Sequence, residues 1–323
     1  MSAKKEDVIL VTGGQGFIGG YLKHVLDQNG FHNVISLPGF KKGLDLGDKD
    51  NIGWVFDEYK PDIVIHLACR HAGLPFNLQN PAGIMYENIN MTTGIMEEAC
   101  WNDCKKFIFI GDILSYPENC PIPFKESDLW FGYPELARSG YALTKRFLTE
   151  MVKNYHLEGR IQTTSLIFPE VYGSNDLLDP RYGRIVPTSI LNILHCKNND
   201  IEEIEIEGNP NTTRDLLYVA DAARAILLAV ESESDGDIIN IGSGVETSLE
   251  SLLHMVQNYL DTNIKINWKQ KKMPEDKRRL LDTSKSKSIL GFSPLCSVES
   301  GIKDVCKWLS GRETEFKELS SLL

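Results

Sequence analysis

A tyrosine and a lysine four residues apart have the side chains that proton and hydride transfer at a carbon–oxygen bond require. They are Tyr141 and Lys145, in the stretch Tyr141-Ala142-Leu143-Thr144-Lys145. On a helix, residues four apart share a face. A free tyrosine has a pKa of about 10, and a nearby ammonium group stabilises the phenolate and lowers that pKa. The pair predicts an acid/base couple for an alcohol or a ketone, although this spacing also occurs by chance.

A glycine-rich stretch near the start of the chain has the pattern of a phosphate site. Glycines stand at positions 13, 16 and 19, directly after an apolar run over 8–11 and before an amphipathic segment. Glycine lets the backbone approach a ligand with no Cβ in the way. The first turn of a following helix presents free N–H groups to a phosphate. We predict strand, tight turn and helix, and with them a dinucleotide site.

The elements that must position these residues alternate through the first half of the chain. The predicted strands are 7–12, 33–37, 61–67, 105–111 and 161–168, and the predicted helices are 17–29, 49–59, 81–101 and 137–156. Strands at 63–67 and 107–110 are almost wholly apolar, as strands buried on both faces are. The alternation predicts an α/β fold of the Rossmann type, a doubly wound parallel sheet with helices on both faces.

The regular alternation of predicted strands and helices ends after about residue 170. We predict helices at 185–196, 219–231 and 248–260, short strands at 204–207 and 238–241, a capping box at 247–250, and two amphipathic segments in the tail 274–309. The expected cofactor domain is 1–172, with 212–243 partly returning to it. The expected smaller C-terminal α/β substrate domain is 173–211 and 244–323. It should cover the crevice outside the carboxyl ends of the strands.

Composition excludes several classes of function. A net charge of −11 disfavours nucleic acid as the main partner. No apolar run approaches the roughly 18 residues of a membrane span. Because the N-terminus leads directly into a predicted strand, we expect no signal peptide. The seven cysteines are scattered, and no second pair joins Cys100 and Cys104 to complete a metal set. We expect idle thiols and a cytoplasmic protein without a metal.

The glycine turn together with Tyr-x-x-x-Lys resembles the extended short-chain dehydrogenase/reductase family, also called the NAD-dependent epimerase/dehydratase family. Within it, the chain resembles the GDP-fucose synthase group. The similar stretches are 59–68, 80–88, Tyr116-Pro117, 213–221 and 279–291, and the resemblance runs from about residue 7 to 310. That group epimerises a 4-keto sugar at C3 and C5 and then reduces C4 with NADPH.

The resemblance implies a role for each matching position. Tyr141 is the acid/base, and Lys145 is its pKa partner and the ribose anchor. Arg214 pairs with the substrate diphosphate, unless it forms a surface ion pair with Asp215. A nucleotide-sugar substrate and a homodimer built on helices 81–101 and 137–156 are implied as well. The pyrophosphate is held by Gly13, Gln15, Gly16, Phe17, Ile18 and Gly19, and the adenosine half is lined by Asp45, Leu46, Leu67 and Ala68.

The choice between NAD and NADP stays open. The second strand ends at Leu37 with no acid to bind a ribose 2′-hydroxyl, which marginally favours NADP. Lys41 and Lys42 follow, and they either meet a 2′-phosphate or form a solvated basic turn.

Three positions depart from the pattern of the fucose-synthase group. Asp112 stands where the family has a Ser or Thr that hydrogen-bonds the reacting oxygen. Leu114 replaces a cysteine base, and Arg184 replaces its partner histidine. Leucine cannot move a proton, and arginine stays protonated. The sequence therefore predicts a protein that does not epimerise C3 or C5.

Asp112 allows several interpretations. Its carboxylate could accept a substrate hydroxyl, which we favour, or raise the pKa of Tyr141 by like-charge repulsion. Alternatively Ser115 takes over the missing hydroxyl's role, or catalysis has been lost.

Besides Arg214, four residues are candidate substrate contacts, and one of them is Arg184. Arg70 and His71 follow a predicted strand end and either contact the substrate or form an ordinary loop pair, and Glu170 replaces an Asn near the sugar. We expect an NAD(P)-dependent oxidoreductase acting at C4 of a nucleotide-linked, GDP-type sugar, as 4-dehydrogenase or 4-keto reductase. A nucleotide-sugar epimerase/dehydratase and a non-catalytic dinucleotide-binding regulator are the alternatives.

Overall fold

Eleven strands and ten helices form the part of the chain that the structure, a computed structural model, describes: residues 3–39, 43–71, 73–176, 184–269 and 278–310. The strands are β1 (Ile9–Thr12), β2 (Val34–Ser36), β3 (Ile63–His66), β4 (Lys106–Asp112), β5 (Gln162–Phe168), β6 (Glu170–Tyr172), β7 (Glu203–Glu207), β8 (Thr213–Tyr218), β9 (Asp237–Asn240), β10 (Glu246–Ser248) and β11 (Lys265–Lys269). The helices are α1 (Phe17–Gln28), α2 (Lys49–Tyr59), α3 (Leu74–Gln79), α4 (Pro81–Trp101), α5 (Ser139–Leu157), α6 (Ile185–Asn198), α7 (Val219–Glu231), α8 (Leu249–Leu260), α9 (Ser284–Leu290) and α10 (Val298–Ser310).

Six parallel strands form the main sheet, in the order β2-β1-β3-β4-β5-β9. The direction of strand addition reverses between β1 and β3, and ligands of such sheets bind where this reversal occurs. The doubly wound parallel sheet predicted from the sequence is confirmed.

Both faces of this sheet are covered by helices, which explains why its strands are apolar throughout. Successive side chains of a strand point to opposite faces. In β3, Ile63 and Ile65 therefore join the core on the side of α1 and α7, while Val64 joins the core on the side of α2, α4 and α5. All three side chains are buried.

A further core lies outside the main sheet. It is built from α6, α8 and α10 and from Tyr172 and Leu216 of β6 and β8. A three-stranded sheet, β10-β8-β6, and a two-stranded sheet, β11-β7, complete this region. The domain boundaries predicted from the sequence stay a prediction.

The predicted helices and the main-sheet strands match the observed ones to within a few residues. Strands β6, β8, β10 and β11 and helix α3 are missing from the sequence-based predictions. The predicted capping box at 247–250 is wrong, because Ser248, not Thr247, is the N-cap of α8; it accepts the Ser251 N–H at 3.0 Å, which makes the third helical residue a serine instead of Glu250. No helix in the described ranges is both long and apolar enough to cross a membrane.

Candidate active site

The glycine turn after β1 is tightly constrained. Gly13 has a φ of 67°, and a Cβ there would lie 2.9 Å from the Ala68 nitrogen. A Cβ on Gly19 would lie 2.5 Å from the Gly14 carbonyl oxygen. Only glycine meets both demands, so the turn can bring its backbone against a ligand at the start of α1. The turn fits the pyrophosphate of a dinucleotide.

A buried histidine ties the ends of β1 and β3 together beside this turn. His66 shares a hydrogen bond with the Thr12 hydroxyl at 2.8 Å and another with the Thr92 hydroxyl of α4 at 3.0 Å. Thr12 Oγ1 also accepts the Ala68 N–H at 3.2 Å. Burial lowers the pKa of His66 to about 3, so it is neutral at pH 7. These bonds fix Ala68 against Gly13.

The predicted cofactor contacts lie in different environments. Leu67 and Ala68 border Gly13 directly, since the Leu67 carbonyl carbon and the Ala68 nitrogen are its nearest neighbours. Leu46 is buried in the core under α2, and Asp45 is exposed and accepts the Gly47 N–H at 2.8 Å. Gln15 is exposed, and Phe17 and Ile18 are partly buried at the start of α1. The residues Lys41 and Lys42, proposed for a 2′-phosphate, lie outside the described part of the chain.

Tyr141 and Asp112 meet at the carboxyl end of β4. Tyr141 lies in the first turn of α5 and is only 5% exposed. Its hydroxyl donates to Asp112 Oδ2 at 3.0 Å. The other carboxylate oxygen, Oδ1, accepts the Leu114 N–H at 2.8 Å. Burial raises the pKa of Tyr141 well above its ordinary value, and the neighbouring Asp112 carboxylate raises it further. The sequence-based interpretation that Asp112 opposes ionisation of Tyr141 agrees with this geometry.

Two consecutive cations of α5 hold the backbone on either side of Asp112. Lys145 Nζ donates to the Ile110 carbonyl at 2.8 Å and lies 4.9 Å from the centre of the Phe109 ring. Arg146 Nε donates to the Ser115 carbonyl at 2.7 Å. The helix that carries Tyr141 therefore also fixes the segment that carries its partner.

Ser115 does not lie where the missing hydroxyl would be needed. The residue is fully buried at the end of a short 3₁₀ turn, and its hydroxyl has no hydrogen-bond partner among the described residues. A side chain with no exposure cannot reach a substrate in the crevice. The alternative that Ser115 replaces the missing serine or threonine is therefore not supported.

The loop after β3 adds two side chains to the site. The Cys69 thiol interacts with Tyr141 and with Lys145, and burial raises its pKa. The ring centre of His71 lies 4.7 Å from that of Tyr141. From the sequence alone, Cys69 is expected to be an idle thiol. Its place three residues after the end of a buried strand was the available signal, because the carboxyl ends of parallel strands share one edge.

Arg184 lies between the glycine turn and the region of α6. Its guanidinium is 5.8 Å from the centre of the Phe17 ring and 3.1 Å from Asp176 Oδ2. It also donates to the Val171 carbonyl at 3.3 Å. A predicted cofactor contact and a predicted substrate contact are thus adjacent.

Glu170 and Arg214 face each other on neighbouring strands. Arg214 Nε is 4.0 Å from Glu170 Oε2, and Glu170 Oε1 accepts the Ile185 N–H that begins α6, at 3.2 Å. Arg214 is 7% exposed. Asp215 instead accepts hydrogen bonds from Ser243, through both its N–H and its hydroxyl. The alternative of an Arg214–Asp215 surface pair is not what the structure shows.

Arg70 is further from these groups. Its guanidinium is exposed, lies 3.4 Å from Glu87 of α4, and lies 5.3 Å from the centre of the Phe76 ring. This geometry corresponds to the ordinary loop pair weighed in the sequence analysis.

Comparison with known proteins gives matches over nearly the whole chain. The model of the NAD dependent epimerase/dehydratase family matches residues 9–242. A putative GDP-L-fucose synthase 2 of Arabidopsis thaliana is 28% identical over 305 residues, covering 94% of this chain and 92% of the relative. A GDP-L-colitose synthase of Yersinia pseudotuberculosis is 26% identical over 302 residues, covering 93% and 97%.

Solved structures show the same fold. A GDP-mannoheptose C4 reductase of Campylobacter jejuni with NADP bound has a TM-score of 0.85 at 24% identity, covering 96% of this chain and 100% of that one. A UDP-glucose 4-epimerase of Thermotoga maritima with UDP-glucose has a TM-score of 0.82 at 26% identity, covering 94% and 98%. The resemblance to the GDP-fucose synthase group, inferred from sequence motifs, is confirmed.

Proposed function

Because the chain belongs to the NAD dependent epimerase/dehydratase family, we propose that it is an NAD(P)-dependent oxidoreductase acting at C4 of a GDP-linked sugar. The observation that carries this proposal is the Tyr141–Asp112 contact at the carboxyl end of β4, with Lys145 one turn along the same helix. It lies at the same edge of the sheet as the glycine turn. Relatives named as GDP-fucose and GDP-colitose synthases support the choice of a GDP-sugar.

In the proposed reaction, different residues of the chain move the proton and bind the substrate and cofactor. A nicotinamide dinucleotide, when bound along the glycine turn, supplies or takes the hydride. Tyr141 exchanges the proton of the reacting oxygen, and Lys145 places a positive charge near the phenol and anchors the ribose. Asp112 accepts a substrate hydroxyl. Arg214 pairs with the diphosphate, which a planar guanidinium suits.

The remaining predicted substrate contacts would line the sugar side of the site. Arg184 lies beside Phe17, and Glu170 lies beside Arg214, so both would border the crevice. Arg70 would have to leave Glu87 to reach a substrate.

Epimerisation at C3 and C5 is not part of the proposed activity. Leu114 has no group that moves a proton, and Arg184 is engaged with the buried Asp176 carboxylate. A site with hydride-transfer residues but without the group's two proton-transfer residues supports chemistry at C4 alone. The epimerase/dehydratase alternative would need a base that stands elsewhere in this crevice.

Three further features belong to the proposal. NADP is the preferred dinucleotide, because no acid follows β2 and solved neighbours bind NADP. The enzyme is a cytoplasmic homodimer joined through α4 and α5, which expose Trp101 and Phe147; Phe147 also lines a groove of about 340 Å³ along α5. The chain divides into the cofactor and substrate domains given above.

A panel of GDP-sugars and GDP-4-keto-sugars tests the proposed function. Each is mixed with the enzyme and with NAD(H) or NADP(H), and absorbance in the nicotinamide band is followed. We expect hydride transfer with at least one member, with NADP(H) preferred. Absence of hydride transfer across the panel, with cofactor binding intact, would instead identify a non-catalytic dinucleotide-binding protein.

A further inference from the structure

We propose that Tyr141 donates its proton to the substrate ketone once the C3 hydroxyl of the substrate has replaced it as the donor to Asp112. The enzyme therefore reduces 4-keto sugars that carry a free 3-hydroxyl. This inference rests on the proposed C4 chemistry. It adds the direction of the reaction and the class of sugar.

The starting point is that the only hydrogen of the Tyr141 hydroxyl is already used. That hydroxyl donates to Asp112 Oδ2 at 3.0 Å, and the carboxylate is held in place by the Leu114 N–H on Oδ1. A carboxylate can only accept hydrogen bonds, and so can the oxygen of a ketone. The carboxylate and an incoming ketone therefore compete for one O–H.

A hydroxyl on the substrate resolves this competition. If it donates to Asp112, the carboxylate keeps a partner and Tyr141 can turn its hydrogen to the ketone oxygen. In a 4-keto pyranose the neighbours of the ketone are C3 and C5. C5 carries the ring oxygen and an exocyclic carbon, so the only hydroxyl on a neighbouring ring carbon is the one on C3. With a 3-deoxy sugar, turning the Tyr141 hydrogen to the ketone leaves Asp112 Oδ2 without a donor, while Oδ1 keeps the Leu114 N–H; losing a donor to a charged oxygen is costly in a half-buried site.

The surroundings of Tyr141 favour the donor role. The groups that face it are Asp112 of β4, Cys69 and His71 of the loop after β3, and Lys145 of its own helix. Burial and the Asp112 charge raise the pKa of Tyr141, which keeps the phenol protonated. Oxidation of an alcohol needs a phenolate to accept the proton, whereas reduction of a ketone needs a phenol to donate it.

Reduction of the ketone moves one hydride and one proton to the substrate. C4 accepts a hydride from the reduced nicotinamide, the carbonyl π pair moves to oxygen, and this oxygen takes the proton of Tyr141. The tyrosinate is left beside the Asp112 carboxylate, an unfavourable pairing of like charges. It therefore takes a proton from water that enters the crevice, and the pair returns to its starting state.

A pair of substrates tests whether the 3-hydroxyl is needed to free the Tyr141 hydrogen. GDP-4-keto sugars with and without the 3-hydroxyl are compared with NADPH, and kcat/KM is measured for the wild-type protein and for Asp112→Ser. The wild type should favour the 3-hydroxy sugar by about 100-fold, the loss typical of a charged group left without its partner. Asp112→Ser should lower this preference to about fivefold or less, because a serine can donate to the ketone directly. Asp235→Asn, at a surface ion pair with His156, is the matched control and should retain the wild-type preference.

Equal kcat/KM values on the two sugars in the wild type would overturn the proposal. An unchanged preference in Asp112→Ser would overturn it too.

A titration without substrate or cofactor separates this inference from the proposed function. The protein is labelled with ¹³Cζ-tyrosine, and the Tyr141 signal is assigned by its absence in Tyr141→Phe. In the wild type we expect this signal not to titrate below about pH 10, while Asp112→Asn should titrate at lower pH. Identical titration curves would show that Asp112 does not hold the Tyr141 proton. Suppose that no sugar is reduced, but that Tyr141 titrates at lower pH in Asp112→Asn than in the wild type. This result would overturn both the proposed function and the role of the 3-hydroxyl, while the hydrogen bond between Tyr141 and Asp112 would stand.

Discussion

The glycine turn after β1 and the segment after β4 lie at the same edge of one sheet, and they differ in what constrains them. The turn is constrained by its own backbone, since Gly13 has a positive φ and a Cβ on Gly19 would lie 2.5 Å from the Gly14 carbonyl oxygen. The segment after β4 is constrained from outside, because Lys145 and Arg146 of α5 hold the carbonyls on both sides of Asp112.

This difference has a consequence for function. A turn that only glycine can form has few ways to vary, and under the proposed function it holds the part of a cofactor that many enzymes share. A segment held through its carbonyls can change its side chains without losing its shape. Asp112 and Leu114 can therefore stand in place of a serine and a cysteine on an intact backbone, and under the proposed function this changes the chemistry without changing the cofactor site.

Removing the phenol that donates to Asp112 should give the largest effect, because the proposed chemistry after β4 depends on this hydroxyl. Tyr141→Phe should lower kcat for hydride transfer by about 10³-fold, within the range for loss of a general acid, and leave NADPH affinity nearly unchanged. Nicotinamide absorbance and a cofactor-binding titration measure the two quantities. Tyr133→Phe, at an exposed position, is the control and should keep full turnover. Turnover within tenfold of wild type in Tyr141→Phe would remove the tyrosine from the mechanism.

A glycine pair tests the opposite region. Gly13→Ala should weaken NADPH binding by more than about tenfold and lower the free energy of unfolding by about 1–3 kcal/mol, because it combines a left-handed φ with a close contact. Gly20→Ala lies in α1 with no atom within 4 Å of the added Cβ, so it should leave binding unchanged and stabilise the protein slightly. Calorimetry and urea unfolding provide the comparison. If the two variants behave alike, the turn is not constrained in the way described.

The buried His66 gives a smaller effect that connects the two regions. Its pKa in the folded state is about 3, below the ordinary value of 6.5, so the unfolded chain binds the proton more readily. Its contribution therefore lowers stability as the pH falls below 6.5, by about 1.4 kcal/mol per pH unit. Urea unfolding at pH 7.5 and 5.5 should show this loss in the wild type and a smaller one in His66→Asn. The same pH dependence in both proteins would assign the effect to other groups.

The sequence predicts the main sheet well, because buried parallel strands and amphipathic helices leave clear periodic patterns. It misses β6 and β10, which are three residues long, and β11, which is partly exposed. It also misses β8, a buried strand of six residues whose partners, β6 and β10, lie outside the main sheet and are distant in sequence. Ser248 rather than Thr247 caps α8 for a similar reason, since both residue types suit the position and only the backbone decides.

The candidate site also contains some residues that the sequence predicts and others that it does not. Gly13 and Tyr141 are recognisable because the type and spacing of a few residues suffice. Cys69 is not, since nothing local distinguishes a thiol beside Tyr141 from a buried structural one. Arg184 could be named from the sequence, but its contact with Asp176 could not, because no local pattern pairs two side chains eight positions apart outside a helix.

Reduction in deuterium oxide tests the central claim most directly. The enzyme converts a GDP-4-keto sugar with NADPH in D₂O, and the product is examined by NMR and mass spectrometry against an enzyme-free sample. The account predicts a product with protium at C4, delivered by the cofactor, and no enzyme-dependent deuterium at C3 or C5. Deuterium at C3 or C5 above the control, or an unreduced sugar, would contradict it.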